Sequence, residues 1–193
     1  MKKHTFSLPN ILTYGRIASV PLVTLCFFIQ TNNRLSDFGH WAAVAIFILA
    51  GLTDFLDGFL ARIWQQTSSI GQMLDPIADK LLVSSCLLLL SANHTISGLS
   101  LLAAIIILCR EILVSGLREY LAELKIHVPV SRLAKWKTAA QMVAIIFLLS
   151  GPAGDKIMPD ISLAGLALLW VSAILTLVTG WEYFKHGIEH IHD

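Results

Sequence analysis

Charge is what this sequence has least of. Only 14% of its 193 residues are Asp, Glu, Lys or Arg, against about a quarter in an ordinary soluble domain, so an all-round water-facing surface is excluded. Cysteine is scarce as well. Cys26, Cys86 and Cys109 all lie inside apolar runs and share no metal-ligand spacing, which excludes a disulfide scaffold or a thiolate metal centre and leaves packing as their expected role. Long polar stretches, internal repeats and low-complexity tracts are also missing. The segments between apolar runs, "QTNNRLSDFG", "QQTSSI", "SANHTISG", "KIHVPVSR" and "GPAGDKIMPD", carry turn residues and are too short for a soluble domain. One membrane domain over residues 1–193 is therefore expected. The net charge of +1 says little about partners, and no nucleic-acid partner is expected.

Apolar length is what the sequence has in abundance, with 55% hydrophobic residues and a mean hydropathy of +0.71. A bilayer crossing needs about 20 residues at 1.5 Å rise each. Six such runs are present, near Leu8 to Ile29, His40 to Trp64, Gly71 to Leu90, Leu99 to Leu121, Leu133 to Leu149 and Ile161 to Phe184. The fold class is thus all-α, a polytopic membrane protein of six transmembrane helices. Lys2, Lys3, Arg62, Lys125, Arg132, Lys135, Lys137 and Lys185 fall on one side under this count, and Arg34 and Lys156 on the other. The positive-inside bias then places both termini in the cytoplasm. The first run contains Asn10 and Arg16 and lacks a signal-peptidase site, so it reads as a retained helix rather than a signal peptide.

Against this background the acids in "DFLDGFLAR" and "GQMLDPIADK" stand out. Each Asp near a helix centre costs about 2.5–3.5 kcal/mol, or roughly 10–14 for four without compensation. Asp54 and Asp57 stand at i, i+3 and Asp75 and Asp79 at i, i+4, so each pair shares one helical face. The short link between the second and third runs makes them antiparallel neighbours, able to bring the pairs together. Four converging carboxylates repel, and divalent cations in an oxygen-lined site relieve that repulsion. Two ions would cancel the charge and suit clamping of a phosphoryl group. The alternatives are structural ion pairs with Arg62 and Lys80, or a proton or cation path.

In full, the segment reads Asp54-x2-Asp57-Gly58-x2-Ala61-Arg62-x8-Gly71-x3-Asp75-x3-Asp79, spanning 26 residues. It resembles the signature of the CDP-alcohol phosphotransferase family at every fixed position. The resemblance implies transfer of a phosphatidyl or similar group from a CDP-linked donor to an alcohol with release of CMP, in a six-helix, commonly homodimeric fold. It further implies metal binding by Asp54, Asp57, Asp75 and Asp79, with Asp79 doubling as general base. The metal would be Mg²⁺ or Mn²⁺, two ions per site. Gly58 and Ala61, and likewise Gly71, would let the donor nucleotide approach the backbone, and Arg62 would join them in binding the donor; from spacing alone, close helix packing explains the glycines equally well. On the first run, Asn10, Thr13 and Arg16 match the family's Asn-x2-Thr-x2-Arg pattern and suit the donor's nucleotide and phosphates. An Arg16 that only snorkels to lipid headgroups is the alternative. Pro21 reads as a kink.

The signature leaves the acceptor open, because family members use several alcohols. Arg110 and Glu111 recur as Arg118 and Glu119 at an interval of eight, which sets the two arginines within about 80° on one helical face. Lys135 and Lys137 open the next helix. Arg110, Arg118 and Lys135 are the candidate ligands for an acceptor phosphate, since Arg offers a bidentate fork and Lys a point charge. Positive-inside topology and lipid contact explain Lys125 and Arg132 better than catalysis does, and offer a rival account of Lys137. These segments resemble the glycerol-phosphate-using bacterial members of the family. The expectation is a phosphatidyl transfer from CDP-diacylglycerol to sn-glycerol 3-phosphate at the cytoplasmic face of a bacterial cytoplasmic membrane, with membrane lipid as surroundings and a second copy as partner. An inositol phosphate acceptor is the nearest rival within the family, and a cation or proton transporter the rival outside it. His186, His190 and His192 read as a solvated tail, and the sequon at Asn93 has no use in a bacterial chain.

Overall fold

A computed structural model describes residues 8–30, 35–64, 69–124 and 132–189; within these, the side chains of 8–10, 54–64, 69–70, 72, 132 and 186–189 are left aside. The six expected helices are all present, as α1 (Leu8–Gln30), α2 (Ser36–Trp64), α3 (Ser69–Ala92), α4 (Ser100–Glu123), α5 (Arg132–Asp155) and α6 (Ile161–Glu189), and no strand occurs among the described residues. Five of them are long and apolar enough to cross a membrane; α3 is the exception. Asp75, Asp79 and Lys80 concentrate charge in its first half, while its second half, "LLVSSCLLLLSA", is as apolar as any other run. α1 continues through Pro21.

Several helices outrun their apolar stretches. α2 begins at Ser36, one turn before His40, and α6 continues past Phe184 to Glu189, because a polar turn at the interface can keep its backbone bonds without being buried. α5 contains a break. Gly151 adopts φ 46°, ψ −138°, and Pro152 then opens one further turn, where its missing N–H removes nothing. That backbone region is closed to side-chain-bearing residues.

The principal packings are α5 on α6, α1 on α2, α4 on α6, α1 on α3 and α2 on α5. They trace an open ring in the order α3, α1, α2, α5, α6, α4. Among the described residues α1 packs extensively against both α2 and α3, while α2 and α3 touch each other only slightly; the side chains of Asp54 and Asp57, at the end of α2 that leads into α3, lie outside the described residues. A short link makes two helices antiparallel, but the apolar faces decide which surfaces meet, and α1 offers Val23 and Cys26 to the shared core.

That core occupies the half of the bundle away from the chain's start. Phe47 of α2, Leu82, Cys86, Leu87 and Leu90 of α3, Ile107 of α4, Ile145, Leu148 and Leu149 of α5 and Leu169 of α6 are each at most 2% exposed. Cys26 and Cys86 are packing residues as expected, whereas Cys109 lies on the outer surface. Where α3 turns from leucine to aspartate the core stops, and α3 makes little contact with α4 or α5. A cleft opens there.

Candidate active site

The cleft has a volume of about 580 Å³ and three walls. α3 contributes Pro76, Asp79, Lys80 and Ser84; α4 contributes Arg110, Glu111, Ser115 and Arg118; α5 contributes Lys135, Lys137, Thr138 and Gln141. Residues from three helices that are far apart in sequence thus face one space of ordinary ligand-pocket size. The last acid of the signature and all three candidate phosphate ligands line it together.

On α3, Asp75 and Asp79 are half-buried one turn apart. The Thr13 hydroxyl on α1 donates to Asp75 Oδ1 at 2.5 Å, which orients that carboxylate. Lys80 does not pair with these acids; its Nζ donates to the Pro76 carbonyl at 3.0 Å, so the ion-pair alternative loses one of its two cations. Arg16, one turn beyond Thr13, is 1% exposed. It does not snorkel to the headgroups. Thr13 and Arg16 are both buried on α1, which packs against α2 and α3, and Thr13 meets Asp75 there. Gly71 is buried on α3. The side chains of Asn10, Asp54, Asp57, Gly58, Ala61 and Arg62 lie outside the described residues, though all six positions are helical; Lys125, His190 and His192 lie outside them altogether.

Opposite the acids, cations are held by a carboxylate that sequence reasoning gave no role. Glu111 Oε1 accepts from Lys137 Nζ and from Arg110 Nη1, the latter at 3.3 Å. Arg110 Nη2 donates to the Thr179 hydroxyl of α6 at 3.0 Å. Lys137 is 6% exposed, and Asp79 is within electrostatic reach of it. Lys137 is therefore a wall of the cleft rather than a lipid contact. Lys135 and Arg118 line the cleft from its exposed rim, and the Arg118 guanidinium stands 5.7 Å from the centroid of the Tyr183 ring, within cation–π range. Gln141, one helical turn beyond Lys137, is 4% exposed. Lys137 and Gln141, four residues apart where "RLAKWKTAAQM" gives way to an apolar run, were the available signal for this wall.

The donor set suits a hard divalent cation. Asp75 and Asp79 supply carboxylate oxygens one turn apart, with a hydroxyl already fixed on one of them; oxygen ligands of this kind are what Mg²⁺ and Mn²⁺ take.

Sequence comparison identifies the family. Residues 6–178 match the family model for CDP-alcohol phosphatidyltransferase. The chain belongs to that family. Members of the family generally depend on a divalent metal. Among curated relatives, a Rickettsia bellii protein is 45% identical over 93% of this chain and 94% of its own length. An Escherichia coli K12 protein is 40% identical over 93% and 94%, and a Cereibacter sphaeroides protein 37% identical over 97% and 98%. Each of the three is named CDP-diacylglycerol--glycerol-3-phosphate 3-phosphatidyltransferase. The chain is a membrane protein with relatives in bacteria.

Proposed function

We propose that this chain transfers the phosphatidyl group of CDP-diacylglycerol to sn-glycerol 3-phosphate, yielding phosphatidylglycerophosphate and CMP. The observation that carries the reading is the cleft itself, which sets Asp79 across from Arg110, Arg118, Lys135 and Lys137. An alcohol to be deprotonated and a phosphate to be held are both served by one space. Serine or a choline-type alcohol brings no phosphate dianion for a group of four cations that has one carboxylate, Glu111, between two of them.

In this reading a primary hydroxyl of the acceptor lies against Asp79, whose carboxylate takes its proton as the oxygen attacks the phosphatidyl phosphorus. The bond from that phosphorus to the CMP oxygen breaks, and CMP leaves with the electron pair. Arg110, Lys137, Lys135 and Arg118 hold the acceptor's own phosphate, so the attacking oxygen is placed by contacts remote from it. Asp54, Asp57, Asp75 and Asp79 would hold two divalent ions, Mg²⁺ or Mn²⁺, which when bound neutralise charge on the pyrophosphate. Thr13 fixes Asp75, while Asn10, Arg16, Gly58, Ala61, Arg62 and Gly71 serve the donor's nucleotide and phosphates.

The same reading sets the molecule in a bacterial cytoplasmic membrane as one domain, with both termini and the cleft facing the cytoplasm, and pairs it into a homodimer. The Lys and Arg bias supports the orientation, and the family resemblance supports the dimer. The deciding assay is CMP release from CDP-diacylglycerol with glycerol phosphate, inositol phosphate or serine offered separately, with and without a chelator. Turnover is expected with glycerol phosphate alone, lost on chelation and restored by Mg²⁺ or Mn²⁺. Turnover with inositol phosphate instead would reassign the acceptor, and full turnover in metal-free enzyme would remove the ions from the chemistry.

A further inference from the structure

We propose that Thr179 and Gly180 of α6 are positioning residues for the acceptor phosphate, acting through Arg110. Neither lines the cleft; both touch the arginine that does. The Arg110 side chain crosses from α4 and lies directly on the backbone of α6. A Cβ added at Gly180 would stand 3.0 Å from Arg110 Cγ and 3.2 Å from Nε, and the third atom within reach is Arg110 Cδ. This glycine clears a path for one side chain and not for a neighbouring helix, which sets it apart from ordinary small-residue helix packing.

Thr179 completes the fit at the head of the same side chain. Its hydroxyl hydrogen is directed to the Leu175 carbonyl at 2.8 Å, and its oxygen accepts from Arg110 Nη2 at 3.0 Å. At 4% exposure no solvent competes for that oxygen. A guanidinium is planar, so clearing its stem and bonding one terminal nitrogen sets the plane of the whole fork. Glu111 takes a hydrogen from the other terminal nitrogen; Nε is buried against α6, so one further N–H on each terminal nitrogen remains for a ligand. Apart from Thr176, α6 is apolar around these positions, in "LTLVTGW", and neither lipid nor core packing requires a glycine after the Thr179 hydroxyl.

The inference rests on the reading of Arg110 as a phosphate ligand, and a double-mutant cycle separates the two. Acceptor and donor KM are measured by CMP release in one fixed detergent and lipid mixture, in the wild-type and Arg110→Ala backgrounds. Thr179→Val and Gly180→Ala are each expected to raise the acceptor KM about two- to ten-fold, the scale of one orienting hydrogen bond, with the donor KM little changed. Thr179→Ser, which keeps the hydroxyl, should recover most of what Thr179→Val loses. In the Arg110→Ala background both effects should vanish, because nothing is left to position. Effects of equal size in both backgrounds, or a rise in donor and acceptor KM together, would overturn the inference and leave the phosphate site standing. An acceptor KM unmoved by Arg110→Ala itself would overturn both.

Discussion

The two ends of the bundle use polar side chains in opposite ways. At the end opposite the cleft, they close turns. Asp155 accepts from both the backbone N–H and the hydroxyl of Ser162, at 3.0 and 2.7 Å, satisfying the start of α6. His40 donates its Nδ1 hydrogen to the Leu149 carbonyl at 2.9 Å, just before the break in α5. Lys156 and Asp37 form an exposed ion pair at 2.6 Å. At the other end, charged groups line a space. Glu111 serves two cations at once, and Arg110, Lys137 and Asp79 face one another across the gap between helices. Polar groups that finish their bonding within the fold contribute stability, whereas charges grouped around a void are costly unless a ligand completes them. The bonded groups named at the first end serve the scaffold, and the charges around the cleft serve the site.

Substitution should therefore split cleanly between activity and stability. The largest effect is expected at Asp79. Asp79→Asn keeps the shape but removes the base, and turnover should fall by about 10² to 10⁴, with donor binding weakened much less; near-normal turnover would place the base elsewhere. Asp75→Asn should instead reduce metal affinity along with activity, readable by metal titration.

Next come the cations. Arg110→Ala and Lys137→Ala each remove a charge-assisted bond and should raise the acceptor KM about ten- to a hundred-fold. Lys135→Ala, at the exposed rim, should raise it less. Equal effects at Lys135 and Lys137 would mean that burial does not rank these residues. A Glu111→Gln variant sharpens the same point: loss of the shared carboxylate should raise the acceptor KM without touching the donor KM.

At the scaffold end, Gly151→Ala should cost about 1–3 kcal/mol of stability. Its backbone lies in a region reserved for glycine, and a Cβ there would stand 2.9 Å from the His40 ring. A lowered melting temperature with turnover retained at low temperature would bear this out, and lost turnover in a stably folded variant would join the two ends functionally. The smallest effect is expected at Lys156→Gln. Its ion pair is more than half exposed on both sides, so screening should hold the change to about 0.2–1 kcal/mol or less.

Much of the fold was legible because a bilayer constrains a chain so narrowly. A run of about twenty apolar residues has few options besides a helix, and the six runs became six helices with ends displaced by about a turn. The signature acids were legible too, since charge is conspicuous where it is expensive. Glu111 and Thr179 were not. Glu111 sits in a string of charges, "CREILVSGLREYLAE", where spacing alone makes it equivalent to Glu119, and only Lys137 arriving from α5 distinguishes it. Thr179 is a hydroxyl in an apolar helix, commonly satisfied by its own preceding turn; that it also receives Arg110 depends on how α4 packs on α6.

The sequence by itself determined the class of molecule, the number of helices and the positions of the acids. Each of these follows from local properties, namely hydropathy, helical period and the spacing of a short motif. Only the tertiary structure decided that α1 packs against both α2 and α3, that Arg16 and Lys137 are buried, and that α3, α4 and α5 part where leucine gives way to aspartate. Those outcomes depend on which apolar faces bury one another, a choice made among all six helices at once. No single stretch of chain contains it.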